Sequence, residues 1–190
     1  MLRIYCTLLF ITLLTSCQRN IYKGIDNELS RLKNNTDKRK YLENLFSEDQ
    51  AIRNGQLDSI AELHTINSKE WMAFFYKTNE VDSIHLIKIE RYLNKFGYPS
   101  RTQLGDIANC TPWVIIHHSN GVNERRRNFN NLYSAYLNGE LKRLDFLGYL
   151  ERLYWYEHDS HCQNIEGKSE TDKIEILIQI LQLKKEVKKS

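Results

Sequence analysis

Apolar residues recur along most of this chain at intervals of three and four, the period of helices buried on one face. The pattern opens with Ile25, Leu29 and Leu32, breaks at Asn34-Asn35-Thr36-Asp37, and resumes with Tyr41, Leu42, Leu45 and Phe46. Ser47-Glu48-Asp49-Gln50 then has the form of a capping box, a hydroxyl for an unpaired amide with acids at the positive helix end, and predicts a new helix starting at Ser47. Gly55 is its expected end, and Asn67 or Ser68 the expected cap of a helix carrying Trp71, Phe74 and Phe75. The clearest stretch, Val81 to Phe96, sets Leu86, Ile89, Leu93 and Phe96 on one face, broadened by Ile84 and Ile87. Gly97-Tyr98-Pro99 stops it, because glycine accepts a left-handed cap and proline cannot continue the hydrogen-bond ladder.

Leu104 to His118 reads as helix, although Trp113-Val114-Ile115-Ile116 is a short β-prone run. Phe129, Leu132, Tyr133, Tyr136 and Leu137 form a stripe closed by Asn138-Gly139, and Leu147, Leu150 and Tyr154 face inward from a helix over Leu144 to Glu157. After a loop from Ser160 to Lys168, a final amphipathic helix carries Ile174, Leu177, Ile178 and Leu181 and ends in lysines that suit its negative end. The prediction is an all-α, compact, multi-helix single domain over residues 25–190.

The first residues follow another pattern. Met1 to Ser16 reads as a lipoprotein signal peptide, with Arg3 as the positive n-region and an apolar run from Ile4 to Leu14. That run is too short to span a bilayer, which takes about 20 apolar residues. Leu14-Thr15-Ser16-Cys17 resembles the bacterial lipobox, in which the cysteine is lipidated and becomes the first mature residue. Residues 17–24 are then the lipidated cysteine and a short tether. Several acyl chains on Cys17, each buried methylene contributing about 0.8 kcal/mol, would hold the protein on a lipid bilayer. Gln18 is not the aspartate that resembles an inner-membrane retention signal, so the expected place is the periplasmic face of the outer membrane.

Composition narrows the field further. The 190 residues are 41% hydrophobic and 27% charged with only two prolines, which excludes disordered and fibrous classes. Loss of Arg3 with the signal leaves 26 basic and 24 acidic residues, a net charge of +2 that offers no bulk attraction to nucleic acid. Cys6 would leave with the signal, so Cys110 and Cys162 remain in an oxidising compartment, either paired in a disulfide or as two separate thiols.

Four short stretches, in order, resemble a bacterial family known as the domain of unknown function DUF6624. They are Glu48-Asp49-Gln50-Ala51-Ile52-Arg53, then Asp82 with the helix ending at Gly97-Tyr98-Pro99, then His118-Ser119-Asn120, and Leu150-Glu151-Arg152-Leu153. The likeness spans about Ser47 to Tyr156. His85 stands where that family usually has asparagine, Asn120 and Glu151 stand where it has aspartates, and its tyrosine-glycine-threonine-glutamine ending is absent. The resemblance implies no reaction.

From these family-like positions, Gln50, Arg53, His118, Asn120, Glu151 and Arg152 are the candidates for one polar site. Gln50 and Arg53 lie three apart and share a helix face. Two guanidiniums beside an imidazole would favour an anionic ligand, and Glu151 with His118 could exchange protons near neutral pH. The same residues suit a buried salt-bridge and hydrogen-bond network joining three helices, the commoner use of arginine beside a carboxylate. His117 and His118 are neighbours and point about 100° apart on a helix, so at most one belongs to the site. Arg125-Arg126-Arg127 reads as a solvated helical face. His158, His161 and Cys162 lack a fourth ligand for a metal, no cofactor motif is present, and Ser119 has no nucleophile-elbow glycines. The expectation is a non-catalytic envelope module that binds an envelope protein or a small anionic ligand; the alternative is a small hydrolase-like enzyme using His118, Glu151 and the two arginines.

Overall fold

The computed structural model describes residues 20–53, 60 and 68–185; Cys17, the signal segment, Gly55 and the last lysines lie outside them. The fold is all-α. Residues 20–30 form α1, so most of the expected tether is already helical, followed by α2 (Asn35–Arg53) and α3 (Lys69–Phe96). A one-turn α4 (Arg101–Leu104), α5 (Asp106–His118), α6 (Val122–Leu137) and α7 (Arg143–His158) come next, then a 3-10 turn (Gln163–Ile165) and α8 (Glu170–Ile180).

The core forms around α5. It packs most closely on α2 and also meets α3, α4, α6 and α7. Ala108, Val114, Ile115 and Ile116 are all buried, so this helix is apolar nearly all round, as a helix at the centre of a bundle must be. The β-prone run therefore belongs to an interior helix. Pro112 sits inside it and forgoes one ladder bond, while Thr111 Oγ1 donates to Ile107 O at 2.7 Å. The helix starts at Asp106 rather than Leu104 because Gly105, at φ 86°, breaks the chain between α4 and α5.

Two expected boundaries differ. No helix starts at Ser47, because α2 continues through it: Leu42, Leu45 and Asp49 lie at i, i+3 and i+7 on one buried face while Ser47 and Glu48 face water. The aromatic segment and the Val81 to Phe96 segment are one 28-residue helix, capped where Ser68 Oγ accepts from Trp71 N–H at 3.1 Å and ended at Gly97 with φ 76°. Its buried residues begin only at Asp82, and Ile84 is exposed rather than part of the stripe. Leu137 likewise points outward. On the far side α8 closes the core with Ile174, Leu177 and Ile178, capped by Ser169.

Cys110 and Cys162 are free thiols. Cys110 Sγ donates to Ile107 O at 3.3 Å on α5, and Cys162 is buried before the 3-10 turn.

Candidate functional site

The last turns of α2 and α5 and the middle of α3 meet at a buried carboxylate, Asp49, which is 0% exposed. One of its oxygens accepts from Arg53 Nη1 at 2.9 Å, the other from Gln50 Nε2 at 2.8 Å, and His118 Nδ1 lies 3.1 and 3.0 Å from the two. Facing a carboxylate, Nδ1 is the donor. Arg53 also donates from Nη2 to Asp82 Oδ1 at 2.5 Å and from Nη1 to the Asp49 carbonyl, so one guanidinium ties α2 to α3. Burial pushes the Asp49 carboxyl upward, but the hydrogen bond and charge of His118, with Arg53 and Gln50, outweigh it and hold the group below the ordinary carboxylate value. Next to it His85, also buried, places Nε2 3.3 Å from Glu48 while Nδ1 has no partner among the described residues; burial lowers its pKa against the pull of Asp49 and Glu48.

Of the candidate residues, Gln50, Arg53 and His118 thus come together. Asn120 and Arg152 belong to a second cluster alongside. Asn120 donates to Asn79 Oδ1 at 2.5 Å and accepts from the Tyr156 hydroxyl at 3.1 Å. Arg152 Nη1 lies 3.2 Å from His117 Nε2 and its guanidinium is 5.8 Å from the centre of the Tyr156 ring. On the same ring, at 5.0 Å, lies the guanidinium of Arg125. Arg125 is 0% exposed and donates to the carbonyls of Ser119 (2.8 Å) and His117, with Nη1 unpartnered among the described residues. Burial, then the charge of Arg152, lowers its pKa to about 10. Burial, then Arg152 and Arg125, lowers His117 to about 4, so this ring is neutral at pH 7 and Nε2 accepts from Arg152.

Glu151 joins neither cluster. It lines an open cleft of about 480 Å³ with Gly148, Arg152, Trp155 and His161. The carboxylate bonded to His118 is Asp49, which corrects the expected exchange with Glu151. The arginine run is not a uniformly solvated face either: Arg126 binds Glu157 at 2.6 Å, Arg127 binds Glu90 at 2.7 Å, and Arg125 points inward. Successive helical residues turn by about 100°, so three in a row spread over about 200° of the helix, and Arg125 is the one that reaches the packed side. Asp49, Asp82, His85, His117 and Arg125 were missing from the candidate list. Asp49 had a signal, four residues before Arg53 on the Leu42–Leu45 stripe, and Arg125 had one, four residues before Phe129.

A polar cavity of about 180 Å³ reaches Asp82 and Asn120 between Asn79, Ser83, Ser119 and Glu124, but Asp49 and His118 do not line it. Among the described residues no three of His, Cys, Asp and Glu are grouped to hold a metal ion. No protein-family model matches the chain. No curated protein and no solved structure matches it either.

Proposed function

We propose that this chain is a lipid-anchored protein of the bacterial cell envelope that binds a partner or ligand without transforming it. The non-catalytic half rests on one observation: Asp49 is fully buried with both oxygens already occupied by Gln50, Arg53 and His118. A general acid or base must reach the proton it moves, directly or through one water, and Asp49 is sealed from both, while His118, with Nδ1 held by Asp49, lies beside no second nucleophile or acid among the described residues of this network. Such a network joins α2, α3 and α5 as a strut. The anchored half rests on the lipobox-like Leu14-Thr15-Ser16-Cys17 behind a short apolar run. No helix among the described residues is long and apolar enough to cross a membrane. The likeness to DUF6624 belongs to the same proposal and adds no reaction.

Metabolic labelling with a fatty acid tests the anchor: the natural chain takes the label and Cys17→Ala does not. Equal labelling of both would remove the anchor from the proposal. For the strut, His118→Ala lowers the thermal midpoint while envelope partners captured on the intact chain remain bound; a variant of native midpoint that loses its partners would return His118 to a functional role.

A further inference from the structure

We infer that the cleft of Gly148, Glu151, Arg152, Trp155 and His161 binds a small molecule carrying an oxyanion, a carboxylate or a phosphate, beside a ring. This deepens the binding reading above and rests on it.

Four of the residues come from one helix. Gly148, Glu151, Arg152 and Trp155 stand at i, i+3, i+4 and i+7 of α7 and share a face, with His161 contributed by the segment after the helix. Arg152 makes no ion pair with a described carboxylate. Its described partners are the neutral His117 and the Tyr156 ring, so it is oriented from behind while its charge is left uncompensated. Arg125, on the same Tyr156 ring, adds a fully buried charge with one nitrogen that has no partner among the described residues. A half-buried guanidinium beside a second, fully buried one is short of counter-charge, and an oxyanion in front of Arg152 would supply it. Glu151 opposes this with one negative charge against two positive ones.

Gly148 is the independent observation. Glycine in the middle of a helix is less stable than alanine, and here no packing demands it, because an added Cβ would meet nothing within 4 Å. Its φ is not positive, so no turn requires it either. What the missing side chain leaves free is the floor of the cleft, beside the guanidinium. Trp155, 42% exposed and set edge-on to Tyr156 at 5.2 Å, offers a ring on which a flat or apolar face can stack.

The full-length chain in a non-ionic detergent, labelled with 15N at its three tryptophans, gives the test, with Trp155→Phe assigning the peak. Titration with benzoate or with phenyl phosphate shifts the Trp155 indole signal to saturation, and the stronger of the two names the oxyanion; neutral benzamide does not. Arg152→Gln weakens binding at least tenfold, the loss of a charged hydrogen bond. Gly148→Ala weakens binding too, yet raises the thermal midpoint by roughly 1–4 °C. An indole signal that neither anion moves, equal binding by benzamide, or unchanged affinity in both variants would overturn the assignment. A chain that takes the anion but no fatty-acid label would sink the envelope reading and leave the cleft standing.

Discussion

Around Asp49, carboxylates and donors alternate, whereas around Arg125 two like charges share one aromatic ring, Arg125 leaning on carbonyls and Arg152 on an imidazole. The clusters touch through neighbouring residues of α5, His118 in the first and His117 in the second. The same imidazole chemistry is therefore put to different uses: His118 donates to a carboxylate, while His117 is kept neutral and accepts from an arginine. Burial, reinforced by the two arginine charges, keeps His117 neutral, whereas His118 has a carboxylate to donate to. The first arrangement is self-sufficient, and the second carries an excess positive charge that a further group can satisfy.

Removing one charge should separate them most clearly. Asp49→Ala takes the shared acceptor from Gln50 and His118 and leaves Arg53 to Asp82, and is expected to cost about 3 kcal/mol in urea unfolding, the lower end of the scale for breaking a buried pair. Arg125→Met strands only carbonyls and relieves repulsion with Arg152, so its cost is expected to stay below about 2 kcal/mol. Equal losses would erase the distinction.

Acid gives the next largest effect. His117 has a folded pKa of about 4 against an unfolded value near 6.5, so the unfolded chain takes up its proton first and stability falls as pH drops through that window. After allowance for solvent screening of a partly exposed ring the loss is about 1–2 kcal/mol. His117→Asn should flatten the profile there. Asp49 acts lower: its depressed pKa contributes stability that is present above about pH 4 and lost as pH falls further. His117→Asn leaves that acid limb in place, and Asp49→Asn removes it. The smallest change, Gly148→Ala, should stabilise by about 0.5–1 kcal/mol in thermal unfolding and leave the Asp49 cluster unaltered.

Period and punctuation made most of the helices legible, since Ser68, Gly97, Gly139 and the apolar stripes act locally and a linear reading sees local effects. The break predicted at Ser47 misled because a capping box looks the same inside a helix, where the burial of its third residue decides. For the polar residues, type was legible but partnership was not. Arg53, Gln50 and His118 were recognised, yet their common partner Asp49 was read as a helix-end charge, and Glu151 was paired with a histidine it does not meet. The distances that sort these groups arise where α2, α3 and α5 cross, and no spacing along the chain encodes a crossing. The inward turn of Arg125 was hidden inside a run of three arginines.

The length of α3 carries a mechanical consequence. Its first three turns, with the stacked Trp71 and Phe75, precede the first buried residue, Asp82, by an arm of roughly 15–18 Å at 1.5 Å per residue. The contacts of Asp82 with Arg53 and of Asn79 with Asn120 clamp the base of that arm. A small tilt at that base would be magnified toward the N-terminal end of the helix, where the indole of Trp71 would report it.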